Sequence, residues 1–355
     1  MTSKNESSLL QYRNLVSTIR IDHAAYASIQ NRLIGAYDDV GQTPVPTCLH
    51  VAGETRTGKS CVIRDFIDTV SAREQPDAGN KSIVLATAIA KASAISLLRQ
   101  LLRGLGDPLW SKGSGTNLEA RLETMLRGVS CKLIIIDEFQ HLSDKGQNKS
   151  LFQTTSVLKN LLECNAWGLV AVGMPNSSRV IDADAQLAGR FDPTLTMPLF
   201  DWRDARMQLE FQGVLRAFML QLVPFELPDF SHPDNAFRMY LATSGRLGLL
   251  AKLIDRAVKR AIERQSTRIE MKHLEAAFRE SIWYAPRFPI VDGPFLARLE
   301  PCQAATHVQT VLDLSTHDVY EDNSATVQII RPRANESGKP DRSKRRHCEE
   351  MAAAL

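Results

Sequence analysis

Several absences narrow this chain before any motif is read. No apolar stretch reaches the ~18 residues that a membrane-spanning helix requires, and the opening MTSKNESSLL has no basic segment followed by an apolar run. Net charge is close to nil. The 43 basic residues against 40 acidic ones leave a formal +3, so a case for nucleic acid must rest on where the cations stand. The six cysteines (Cys48, Cys61, Cys131, Cys164, Cys302 and Cys348) form no C-x-x-C pair and no Cys/His cluster at zinc spacing. Neither a disulfide framework nor a structural metal site is supported by that spacing. No internal repeat is present. The expectation is a reduced, cytoplasmic protein. Its 355 residues, 44% of them hydrophobic, suffice for a sizeable core and for two domains.

What is there alternates. Residues 9–37 carry apolar positions at three- and four-residue steps, a helical lead-in that GQTPVPT (41–47) ends. Apolar runs then recur as CLHVAG (48–53), SIVLATA (82–88), KLIIID (132–137), WGLVAVG (167–173) and TLTMPLF (194–200). Helical patterns stand between them, at about 60–71, 91–104, 117–128, 150–164 and 178–187. Five apolar strands interleaved with helices predict a parallel α/β sheet covered on both faces. Past Phe200 only helical segments follow, at 203–222, 233–242, 246–264 and 271–281, which predicts a small helical second domain. The divisions read as a lead-in (1–40), an α/β domain (41–200), a helical domain (201–285) and a partner-binding extension (286–355) whose tail is too polar to form a core.

The chemistry concentrates at strand ends. Gly53-x4-Gly58-Lys59-Ser60 fits the phosphate-loop pattern and lies between a strand and a helix. Its glycines let successive N–H groups turn toward phosphate oxygens at a helix N-terminus. Gly53, Glu54, Thr55, Arg56, Thr57, Gly58, Lys59, Ser60 and Cys61 are therefore the cofactor-binding stretch. Lys59 reaches the β/γ-phosphates, and Ser60 with Asp137 holds Mg²⁺. Glu138, next in LIIIDE, is placed to polarise an attacking water. In VAVGMPNSS, Asn176 is the first candidate for a contact to the terminal phosphate and Ser177 the second; a simple turn is the plain alternative. Arg190 in LAGRFDP suits a finger toward a neighbouring subunit's nucleotide, or a solvated surface role. In ATSGRLGLL, Ser244 reads as a helix N-cap, leaving Arg246 in the first turn, where the dipole opposes it unless an anion is near.

These pieces together resemble the AAA+ ATPases. GETRTGKS, IIIDEFQHLSD, LVAVGMPNSSRVI, LAGRFDPTLTMPLF and TSGRLGLLAKLIDRAVKRAI, in that order, resemble the TniB/TnsC-type transposition ATPases over residues 15–285. The resemblance implies an AAA+ P-loop NTPase fold with a C-terminal helical lid, and an Mg²⁺-dependent ATPase. Lys59, Ser60, Asp137, Glu138, Arg190 and Arg246 fall in the roles above. It further implies a homo-oligomer, ring or filament, on duplex DNA, linking a TniQ/TnsD-like target-selection factor to a transposase. His141 matches the family's QHL without a clear task, and Arg56 puts a large cation where the family's loop carries a small residue. Backbone-contacting DNA candidates are Lys91, Arg99, Arg103, Lys112, Thr116 and Arg121 after the second strand, and Lys145 and Lys149 after the third. Two alternatives stay open: an ATPase of secretion-assembly or helicase-loader type, and a nucleotide-gated signalling scaffold.

Overall fold

The computed structural model describes residues 9–74, 80–90, 92–143, 148–300 and 303–316. Strands β1 (Cys48–Gly53), β2 (Ile83–Thr87), β3 (Leu133–Asp137), β4 (Gly168–Gly173) and β5 (Leu195–Met197) form one parallel sheet in the order β2-β3-β4-β1-β5. Strand periodicity explains how both faces are covered. On β3, Ile134 and Ile136 enter one core with Leu97, Leu101, Leu122 and Leu158. Leu133 and Ile135 enter the opposite core with Leu33, Val62 and Phe66. The first core draws on α3 (Ala94–Leu105), α4 (Gly115–Gly128) and α5 (Asn148–Glu163), and the second on α1 (Ala24–Asp39) and α2 (Lys59–Arg73).

Four helices continue the chain: α6 (Ala205–Gln221), α7 (Pro233–Thr243), α8 (Leu247–Glu263) and α9 (Met271–Ser281). Packing goes on past residue 285. Buried Phe295 donates its N–H to the Glu275 carboxylate of α9. The described residues up to Leu312 form one compact unit; of residues 313–355 only the end of helix α10 (Ala304–Thr316) is described. No described helix is long and apolar enough to cross a membrane.

Three local expectations change. The lead-in is not one helix, because residues 19–23 run extended between Leu15–Thr18 and α1, with Ile19 turned inward. β5 keeps three residues rather than seven, since Pro198 has no N–H to donate and Phe200 already pairs with Gly245 of the helical part. Ser244 is not the N-cap of α8. It closes α7 in the left-handed conformation (φ 51°), Gly245 follows at φ 67°, and Arg246 itself holds the N-cap position.

Candidate nucleotide-binding site

β1 occupies the sheet between β4 and β5, so the loop leaving Gly53 opens at the carboxyl edge, where ligands collect in such sheets. A Cβ on Gly53 would stand 2.6 Å from the Met197 carbonyl oxygen, so only glycine keeps β1 and β5 paired there. Gly58 (φ 112°) then turns the chain into α2. From Thr55 to Ser60 no backbone N–H donates a hydrogen bond among the described residues. Unpaired donors gathered at a helix N-terminus form an anion cradle, which is the fit a polyphosphate needs. Lys59 Nζ folds over it, donating to the carbonyl oxygens of Gly53 (2.6 Å) and Glu54 (2.8 Å). Burial pushes the Lys59 ammonium below its ordinary pKa, while Glu138, Asp137 and Glu54 pull the other way.

Those carboxylates arrive on β3. Asp137 is half-buried, and burial raises its pKa with help from the Glu138 charge, against the Glu138 N–H and Lys59. Its Oδ1 accepts the Glu138 N–H at 2.8 Å. Glu138 takes φ 56°, a left-handed turn that carries its exposed side chain off the strand line. The exposed Ser60 hydroxyl and the Asp137 carboxylate are hard oxygen donors of the kind Mg²⁺ takes.

Arg246 is 4% exposed and reaches from the start of α8 to the Thr55 carbonyl oxygen (2.9 Å), while Gly248 donates its N–H to the Arg56 carbonyl oxygen (2.8 Å). The lid therefore rests on the phosphate loop itself. Arg56 takes φ 61° and its side chain is exposed. At the end of β4, Asn176 is exposed in the turn Pro175–Ser177, whereas Ser177 is fully buried and hydrogen-bonded inward. Arg190 is half-buried, and one guanidinium nitrogen donates to the Leu162 carbonyl oxygen and to Asn165 Oδ1 at the end of α5.

One part of the site has no sequence motif. An apolar cavity of about 140 Å³ adjoins Thr57, Gly58 and Cys61, walled by Ile19, Ile21 and Tyr26 of the lead-in, Met197 of β5, Val214 and Phe218 of α6, and Leu247 of α8. The extended break in the lead-in supplies Ile19 and Ile21 to this slot.

The expected DNA contacts divide. Lys112 is exposed on the α3–α4 connection and Thr116 in the first turn of α4, and the Arg103 guanidinium lies 5.5 Å from the Trp110 ring centroid. Arg99 is half-buried on α3. Arg121 is committed elsewhere, pairing with buried Asp107 (2.8 Å) and donating to the Leu109 and Lys112 carbonyl oxygens. It staples the connection and is not a free cation. Lys91 and Lys145 lie outside the described residues, as does the side chain of Lys149.

A family model described as "Bacterial TniB protein" matches residues 13–204. No curated protein matches. Among solved structures, the Aeropyrum pernix ORC1 protein in complex with DNA is 16% identical, with TM-score 0.55 over 76% of this chain and 69% of that one. The Aeropyrum pernix ORC2 protein (ADPNP-ADP complexes) is 13% identical, with TM-score 0.55 over 76% and 72%. Cdc6p from Pyrobaculum aerophilum is 12% identical, with TM-score 0.56 over 84% and 82%. At these identities the likeness is one of fold, the AAA+ P-loop architecture.

Proposed function

The chain belongs to the TniB family, and from that membership and the loop geometry we propose that it is an ATP-hydrolysing AAA+ regulator of DNA transposition that assembles on duplex DNA. The observation that carries the proposal is the cradle of unpaired N–H groups after β1, with Lys59 at the start of α2 and Asp137 and Glu138 at the end of β3 electrostatically coupled beside it. The Aeropyrum ORC2 protein, of the same fold, was solved in ADPNP-ADP complexes.

In this reading Lys59 exchanges its two carbonyl partners for β- and γ-phosphate oxygens, and the base lies in the apolar slot. Ser60 and Asp137 would hold Mg²⁺, which when bound neutralises charge between the phosphates. Glu138 holds the attacking water, and Asn176 faces the terminal phosphate from the β4 turn. Arg246 trades the Thr55 carbonyl for phosphate and so reports nucleotide to the lid. Arg190, just before edge strand β5, serves a neighbouring subunit. Lys112, Arg103, Arg99 and Thr116 face the phosphates of a duplex, repeated protomer by protomer. A target-selection factor and a transposase are the partners this family role calls for.

The test is binding of a labelled duplex with ATP, with ADP and without nucleotide, alongside hydrolysis by wild type, Lys59→Ala and Glu138→Gln. Expected are ATP-dependent capture, loss of nucleotide binding in Lys59→Ala, and nucleotide-trapped but inert Glu138→Gln. Equal duplex affinity in all three nucleotide conditions would overturn the DNA half of the proposal, and wild-type turnover in Glu138→Gln the enzymatic half.

A further inference from the structure

Gln140 stands two residues after Glu138 in the short 3₁₀ turn Phe139–Ser143 and is only 6% exposed. Its amide is used at both ends. Oε1 accepts the N–H of Met174, the first residue after β4, at 3.1 Å, and Nε2 donates to Glu138 Oε2 at 2.5 Å. The amide's orientation is not arbitrary. A backbone N–H can only donate, so the atom facing Met174 must be the oxygen, which leaves the NH₂ group on the Glu138 carboxylate. Gly173 makes the approach possible, because a Cβ there would stand 2.7 Å from Gln140 Oε1.

The same turn is tied from its other side. Ser177 Oγ donates to the Met174 carbonyl oxygen (2.5 Å) and also lies 2.8 Å from His50 Nε2. With its one proton spent on Met174, Ser177 must accept from His50, so the proton of that imidazole is on Nε2. His50 Nδ1 then accepts from Thr194 Oγ1 at 2.9 Å. Burial lowers the His50 pKa, in keeping with a neutral ring that has one donor and one acceptor. His50 and Ser177 are 1% and 0% exposed, so water does not compete for these bonds.

We propose that Gln140 is the positioning residue for Glu138, and that it acts as the last link of a buried hydrogen-bond chain running Thr194, His50, Ser177, Met174, Gln140, Glu138 across β1 and β4. Every donor points the same way along it, an arrangement in which each bond polarises the next. With Oε2 held by the amide, the carboxylate plane is fixed and Oε1 is left for water. Because both polar backbone groups of Met174 belong to the chain, a shift of the turn that carries Asn176 moves Gln140 and re-aims Glu138. Contact at the phosphate-facing turn is thereby coupled to the water-activating group.

The inference rests on the ATPase reading, and the experiment separates the two. Gln140→Glu keeps the side-chain length and the acceptor for Met174 but sets a carboxylate oxygen against Glu138. Turnover, KM for ATP, affinity for a fluorescent ATP analogue and melting temperature are measured for wild type, Glu138→Gln, Gln140→Glu, Ser177→Ala and the Gln140→Glu/Ser177→Ala double variant. Expected is a fall in kcat of about tenfold or more for Gln140→Glu, with KM and analogue affinity nearly unchanged, the pattern of an interaction that matters in the transition state. Ser177→Ala should lose less, and the double variant should be no worse than Gln140→Glu alone, since links of one chain do not add. If Gln140→Glu does not fold, Gln140→Met carries the same comparison. Wild-type kcat in a folded Gln140 variant, or a loss confined to KM, would overturn the positioning role, and additive losses would overturn the chain. A wild-type protein that binds the analogue but turns nothing over, or a fully active Glu138→Gln, would instead sink the ATPase reading.

Discussion

The Arg246 guanidinium donates to the Thr55 carbonyl oxygen at 2.9 Å, joining the N-cap of α8 to the middle of the phosphate loop across 191 residues of sequence. A cation at a helix N-terminus is opposed by the dipole, typically by 0.3–1 kcal/mol, and here a carbonyl on the far side of the cleft answers it. The start of α8 is thus tied directly to the phosphate loop. Arg246→Ala would leave a cavity and unpair that carbonyl, a cost of about 1–3 kcal/mol. Thermal unfolding with and without Mg-ATP should show a lower melting temperature in both conditions and a smaller rise on adding nucleotide. A normal nucleotide-induced rise would make Arg246 a packing residue only.

The contact between Gly248 and Arg56 gives a second prediction. Arg56 is held left-handed, which costs a non-glycine residue about 1 kcal/mol, and its carbonyl takes the Gly248 N–H. Arg56→Gly should relieve that strain and leave nucleotide affinity intact or improved, because the exposed side chain makes no hydrogen bond or ion pair among the described residues. Gly248→Ala should do the opposite, since the added Cβ meets Arg56 Cβ and carbonyl oxygen at 3.0 Å and lifts α8 off the loop. Titration with a fluorescent ATP analogue checks both, and weaker binding in Arg56→Gly would show that the cation itself serves the ligand.

How much of this was legible before the structure depends on the range of the contact involved. The loop from Gly53 to Ser60 and the pair Asp137–Glu138 are short, self-contained signals, readable because glycine conformation and strand burial are local. The apolar slot beside the loop has no such local signal. It needs Ile21, Phe218 and Met197 together, from three elements far apart in sequence, and nothing in the periodicity of 9–37 marks the break at 19–23. The choice of Ser244 as an N-cap failed for a related reason. Serine suits that position by propensity, but Gly245 approaches Phe200 so closely that a Cβ would stand 2.1 Å from its carbonyl oxygen, and this tertiary constraint sets where α7 stops and α8 starts.

Asp65 of α2 supplies a pH-dependent prediction. Burial pushes its carboxyl up, but the Tyr26 hydroxyl and the Arg20 guanidinium (2.7 Å) outweigh this, leaving Asp65 below the usual carboxylate range. A depressed folded-state pKa contributes stability above the unfolded value, about pH 4, and loses it as pH falls through the folded value. Asp65 ties the lead-in to the helix that follows the phosphate loop, and Arg20 is partly exposed, so the contribution should be on the order of 1 kcal/mol. Urea unfolding of wild type and Asp65→Asn from pH 7 to pH 3 should show a gap at neutral pH that closes on acidification. A gap independent of pH would place the effect in shape and not in charge.

The α3–α4 connection allows two ways of losing DNA to be told apart. Lys112 stands exposed on it, and Arg121 holds its backbone in place through the Lys112 and Leu109 carbonyl oxygens while pairing with buried Asp107. If Lys112 meets a backbone phosphate, Lys112→Glu removes one counterion-releasing contact per protomer. The slope of log affinity against log salt, counted per bound protomer, should then fall by about one. The loss of overall affinity in an assembly should far exceed one contact, because it recurs in every subunit. Arg121→Ala should weaken binding by a different route. Asp107 is left buried and unpaired, the connection loosens, and protease sensitivity near residues 107–114 rises even without DNA. Both variants are compared by duplex titration at several salt concentrations and by limited proteolysis of the free protein. An Arg121→Ala protein with an intact connection and a reduced salt slope would return Arg121 to the list of phosphate contacts, and an unchanged slope in Lys112→Glu would move the DNA path away from this connection altogether.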